Sequence, residues 1–173
     1  MSLIALTALR SRFDSDTPLS AFFAANYSKS VAHWLGYKRF VSAVDFPVLC
    51  YVPTKTKHTF ANVDTFTVSV VLGICNPDNT GTVLDGVSQS MQATELLVGA
   101  LANAIIVPGL KVERDGIDVI YDLGARHPIY ESELSIRLTQ YDVIELGVRP
   151  SEVWLGLSPE IGTGFEGKYE QVA

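Results

Sequence analysis

The residues able to do chemistry are few, and each grouping misses the spacing its chemistry needs. Three histidines, His33, His58 and His127, lie far apart with no neighbour at metal-ligand spacing, so they read as ordinary loop or surface histidines and no metal is expected. Asn76-x-Asp78-x-Thr80-Gly81 has the opening of a calcium loop. Its twelfth position falls on Val87, where a bidentate Glu is required, so a turn with helix-capping residues fits better. Gly162-Thr163-Gly164-Phe165-Glu166-Gly167 matches G-x-G-x-x-G in letters. A dinucleotide fingerprint must leave a strand and open a helix, and only six residues follow, so no cofactor is expected. Ser88 and Ser90 stand in a helical stretch without a G-x-S-x-G elbow, and Cys50 follows a buried-looking run. No nucleophile has an activator in view, and no catalytic residue is assigned.

Two charged groupings remain. Asp115, Asp118, Asp122, Glu131 and Glu133 cluster around two hairpin stretches, either as a solvated face or as an acidic wall lining a channel. Lys55, Lys57 and His58 form the one locally basic loop of an acidic chain, either solvated or docked on an acidic neighbour. The net charge of −6 argues against a grip on nucleic acid by phosphate neutralisation. Cys50 and Cys75 fall at strand ends and read as free thiols. The first residues lack a basic n-region and a cleavage site, and no window of 18 apolar residues occurs, so neither a targeting segment nor a membrane span is expected.

What positions these groups is a strand and a helix. Phe66, Val68, Val70, Leu72 and Ile74 alternate with Thr65, Thr67 and Ser69, the period of a sheet with one buried face. After a turn, Leu84, Val87, Met91, Thr94, Val98, Leu101 and Ile105 recur in steps of three and four, predicting a helix over 83–106 with one apolar stripe. About 33 Å of strand and about 36 Å of helix match in length, so the helix lies across the sheet.

In chain order, Leu3, Leu6, Leu9 and Phe13 predict a short amphipathic helix, broken at Asp14-Ser15-Asp16-Thr17-Pro18, with a second helix from Leu19 to about Ser28. Residues 31–44 read equally as loop or early strand. Asp45–Pro53 reads as a short strand that its prolines confine to an edge or to the start of a ladder, and Thr54–Asn62 as a hairpin loop. Pro108-Gly109 reads as the stop of the long helix, Arg114-Asp115-Gly116 as the turn of a hairpin, and Tyr130–Leu138 as a further strand with one wet face. The last 30 residues are glycine-rich around Val153, Trp154, Leu155 and Leu157. The expected organisation is therefore one α+β domain over 1–141 and an extended C-terminal tail over 142–173. Its sheet is antiparallel or mixed, of about five strands, with a long helix across one face and N-terminal helices. Hydrophobic residues make up 47% of the chain and charged ones 18%, so part of the surface is expected to meet another copy or a partner.

The order of elements resembles the tail terminator, or tail-completion, family of long-tailed bacteriophages. The resemblance runs over residues 2–140: Ile4-Ala5-Leu6-Thr7-Ala8-Leu9-Arg10-Ser11-Arg12-Phe13 as the first helix, Phe46-Pro47-Val48-Leu49-Cys50-Tyr51-Val52, the strand Thr65–Cys75, the helix Ser88–Ile106 and a closing hairpin. It is a likeness of pattern, since the family has no signature residues, and segments 19–44 and 142–173 are longer than its minimum. The resemblance implies a structural virion protein without enzymatic activity. It would be a homohexameric ring at the head-proximal end of the tail tube that stops polymerisation and joins the tail to the neck or connector, with DNA only as passing cargo. It would be assembled in the host cytoplasm. Lys55, Lys57, His58 and Trp154 are then the expected interface residues, and Asp115, Asp118, Asp122, Glu131 and Glu133 the expected lumen-facing acids. A hot-dog-type acyl-thioester hydrolase, with Asp85 or Glu95 as base, and another neck or head-completion protein are the alternatives.

Overall fold

Alternation of β-branched and polar residues builds the sheet, and small residues set how closely the helix lies on it. The structure is a computed structural model, which describes residues 3–36, 42–58, 63–78, 84–102, 105–141, 153–156 and 169–172. The chain divides into two compact units, 1–142 and 143–173. The first is α+β: helices α1 (Leu3–Asp14) and α2 (Thr17–Tyr27), then strands β1 (Ala32–Leu35), β2 (Val48–Lys57) and β3 (Val63–Cys75). Helix α3 (Leu84–Leu101) and strands β4 (Ile105–Val107), β5 (Leu110–Arg126) and β6 (Ile129–Tyr141) complete it. The six strands form one curled mixed sheet in the order β1-β2-β3-β6-β5-β4, with β1 parallel to β2 and all other pairs antiparallel.

The predicted alternation holds in the centre. Phe66, Val68, Val70, Leu72 and Ile74 of β3 are buried beside Tyr130, Leu134, Ile136 and Leu138 of β6, on the face that the helices cover. Leu6, Leu9 and Phe13 of α1 and Leu19 and Phe23 of α2 complete that core, while Leu3, expected on the same stripe, is 64% exposed. Helix α2 starts at Thr17, two residues before the expected Leu19, and takes in two residues of the expected break. Asp16 caps it by accepting from the Leu19 amide at 3.0 Å, next to a proline in the first turn.

Helix α3 departs from the predicted stripe. Its buried side is Gly86, Ser90, Ala93, Thr94, Leu97, Ala100 and Leu101, while Met91 is 41% exposed. The reason is close approach: a Cβ on Gly86 would stand 2.2 Å from the Tyr130 ring, so small residues face the sheet and larger ones flank them. Thr94 Oγ1 and Ser132 Oγ lie 2.7 Å apart in this contact, and Thr94 also donates to the Ser90 carbonyl. Thr94→Val keeps the volume and strands the Ser132 hydroxyl, so it should cost about 1–3 kcal/mol. Chemical denaturation of the variant measures this, and a change under about 0.5 kcal/mol would show that Ser132 has another partner.

Four boundaries move from expectation, each for a local reason. The helix ends at Leu101 because the β-branched run Ile105-Ile106-Val107 prefers strand, and Pro108-Gly109 is the turn between β4 and β5, with Gly109 at φ 83. Arg114-Asp115-Gly116 is not a hairpin turn. Val112 pairs with Leu138 and Ile117 with Ile136 in the same antiparallel sense, so residues 113–116 are a wide bulge in one continuous strand. Arg137 donates to the Asp115 carbonyl there, and Gly116 sits where a Cβ would meet Glu113 and the Arg137 carbonyl. The true hairpin turn is His127-Pro128. Strand β2, expected at an edge, lies between β1 and β3 and runs on through Lys57, past a bulge between Pro53 and Lys55, so residues 54–57 of the expected loop are strand, while 59–62 lie outside the described residues. Finally, part of the ambiguous segment 31–44 becomes edge strand β1.

The second unit contains a two-stranded antiparallel pair, β7 (Val153–Gly156) and β8 (Tyr169–Val172), where an extended tail was expected. The Gly162–Gly167 motif lies outside the described residues.

Candidate functional site

The register of the sheet brings together two charged groups that are far apart in sequence. Cross-strand partners share a face. On the face away from the helices, Lys57, Thr65, Thr139 and Lys111 form one row, and Lys55, Thr67 and Arg137 the next. Val52, Ser69, Ser135 and Asp118 follow, then Cys50, Val71, Glu133 and Ile120, then Val48, Gly73, Glu131 and Asp122. The face away from α1, α2 and α3 is thus basic at one end and acidic at the other, with Phe46 packed over Val48, Cys50 and Gly73 at one corner of the acidic end, and the eight residue steps of β3 from Thr65 to Gly73 span about 27 Å.

Individual contacts hold these groups in place. Asp122 stands directly opposite Glu131, a like-charge pair relieved by Arg126, whose guanidinium lies 3.2 Å from Glu131. Glu133 accepts from Ser69 Oγ at 2.6 Å, and Arg137 reaches Asp118 at 4.0 Å. At the basic end Glu113 accepts from Thr139 Oγ1 at 2.9 Å, and Lys111 Nζ lies 4.8 Å from the centre of the Tyr141 ring. Lys55 and Lys57, expected on a loop, are exposed on β2; His58 follows them and meets Asp64 at 2.9 Å. Asp115 is exposed on the β5 bulge, and Trp154 lies in β7 opposite Gln171.

A second feature is the pair of sheet edges. Among the described residues β1 pairs only with β2 and β4 only with β5. On β1, Leu35 is 55% and Trp34 40% exposed. Beside β4 an open groove of about 610 Å³ runs along α1, lined by Leu3, Thr7, Ala8, Ser11, Ile106 and Val107 among others. The two edges therefore differ in shape and both present apolar surface.

Sequence reasoning missed one buried ionisable group. The His33 side chain is only 4% exposed, with Nδ1 2.6 Å from the hydroxyl of fully buried Tyr51 and Nε2 2.7 Å from Asp14 Oδ1. Burial pushes the Tyr51 phenol well above the usual tyrosine range, so it stays protonated and donates to Nδ1. This assigns the imidazole proton to Nε2, whose approach to Asp14 is Coulombic in character because it lacks hydrogen-bond alignment. The group ties α1 to β1 and β2. No short-range motif announces it, since the three partners come from three elements.

Burial holds the His33 pKa below its ordinary value, against the pull of Asp14 and with a further push from Arg10. The unfolded chain takes up this proton near pH 6.5 and the native state only at lower pH. The stability it contributes is therefore complete above that range and declines as pH falls through the folded value. The urea midpoint should drop between pH 7 and pH 5 more steeply in the native sequence than in His33→Gln; parallel profiles would contradict this.

Among the described residues, no group of three or more His, Cys, Asp or Glu is placed to hold a metal, and Asp85 and Glu95 are exposed on α3. Asn76 Oδ1 accepts from the Asp78 amide at 2.9 Å in a turn, the capping residues expected after it lie outside the described residues, and neither Cys50 nor Cys75 is in a disulfide. No helix there is long and apolar enough to cross a membrane. No family model matches the chain, and no curated protein does either.

Proposed function

We propose that this protein is a structural ring component of a phage virion, a tail terminator that closes the head-proximal end of the tail tube and meets the neck or connector. The observation that carries the reading is the pair of unlike apolar edges at the two ends of one sheet, β1 with Leu35 and the groove between α1 and β4. Unlike surfaces on one chain are what a head-to-tail contact needs, and repeating that contact about an axis closes a ring. The order of helices, long strand, long helix and closing hairpin supports the same reading, and by resemblance the ring has six copies. A lumen wall made from the helix-free face would carry both signs of charge, so a uniformly repellent channel is not part of the proposal.

Electron micrographs of the purified protein, with its mass in solution, test this. Six-fold rings of about six times the 18.8 kDa chain mass are expected. Dimers or tetramers that turn over acyl thioesters would replace the proposal with the hydrolase alternative.

A further inference from the structure

We infer that the helix-free face of the sheet is a self-complementary docking surface, and that it takes the same face of a second copy turned end for end. The argument is charge complementarity. Lys55, Lys57, Lys111 and Arg137 occupy one end of the face, with Glu113 among them; Asp122, Glu131 and Glu133 occupy the other, with Arg126 among them, and Asp118 adjoins them in the middle row. A two-fold axis lying in the face, across the line joining the two groups, places the cations of each copy over the acids of the other. Ser69 and Ser135 lie in the row between them, where small side chains let two sheets approach to about 10 Å. Ile120, 67% exposed within the acidic rows, supplies an apolar contact.

Four strands by five rows cover roughly 19 Å by 27 Å, and without the corner that Phe46 already covers over Val48, Cys50, Val71 and Gly73 about 400 Å² per copy remain. A stable partner contact needs about 800 Å² per side, so this one is weak and reversible, and salt screens it. It uses the face and leaves the sheet edges alone, so it stands independently of the ring.

Sedimentation of the full chain at high concentration tests the inference. Self-association through the face should weaken about tenfold or more between 50 mM and 500 mM salt. Lys55→Glu with Lys57→Glu makes the face largely negative, and Asp118→Lys with Asp122→Lys makes it largely positive. Each double variant alone should lose the salt-sensitive association while keeping the native melting temperature, and an equimolar mixture of the two should recover it. Association unchanged in either variant, or absent from the mixture, overturns the inference, as does a lysine variant whose only loss is binding to duplex DNA. Single six-fold rings that never pair at low salt would overturn this contact and leave the ring intact; salt-sensitive pairs of chains without rings would do the reverse.

Discussion

Replacing Leu35 with Glu should abolish ring assembly while leaving the chain folded. Leu35 is 55% exposed on β1, which is an edge strand among the described residues, and a charge is tolerated at a sheet edge but is incompatible with an apolar contact. Burying an unpaired carboxylate costs several kcal/mol, and each ring repeats the contact at every subunit. Leu3→Glu should act in the same way from the opposite edge. Leu3 lines the groove beside β4 and opens α1, and a carboxylate in a first helical turn favours the helix dipole, so the fold is not taxed. Size-exclusion chromatography with light scattering should find both variants as single chains with near-native melting. Rings formed by either would move the contact away from that edge.

The second large effect is on the fold. Gly86→Val should destabilise the first unit by about 2–3 kcal/mol, because the new side chain enters space occupied by the Tyr130 ring and forces α3 off the sheet. Valine has no helix propensity advantage over glycine large enough to offset this. For a unit of this size the melting temperature falls by roughly 6–12 °C. Gly99→Val is the control, since a Cβ there meets nothing within 4 Å. Equal losses at both positions would show that backbone propensity, and not the contact with Tyr130, sets the effect.

Much of the α+β architecture was legible in the sequence, and what was hidden has common causes. Alternation in β3 and β6 identified the strands because one face is buried and the other is polar, which is a local signal. The orientation of α3 is hidden from periodicity, which counts large apolar residues, whereas Gly86, Ser90 and Thr94 face the sheet for lack of bulk. Asp115-Gly116 looks like a turn from its letters, and only the pairing of Ile117 with Ile136 shows a bulge. Strand β1 is four residues long and parallel, too short to show a period.

The candidate surfaces divide in the same way. Both charged groups were visible as compositional patches, but that Lys55 and Lys57 share a face with Asp118, Asp122, Glu131 and Glu133 follows from a register spanning four strands. From sequence His33 reads as an ordinary loop or surface histidine, because its partners, Asp14 and Tyr51, are distant in the chain.

A ring closed by unlike edges makes a demand that no two-fold assembly makes. When Leu35→Glu and Leu3→Glu chains are mixed in equal amounts, one intact edge of each remains, so the mixture should form two-chain species and nothing larger. The mass of that mixture in solution is the decisive measurement: about twice the chain mass, with single chains in each separate variant, is the predicted result. A mixture that stays as single chains, or separate variants that still assemble, would contradict the account.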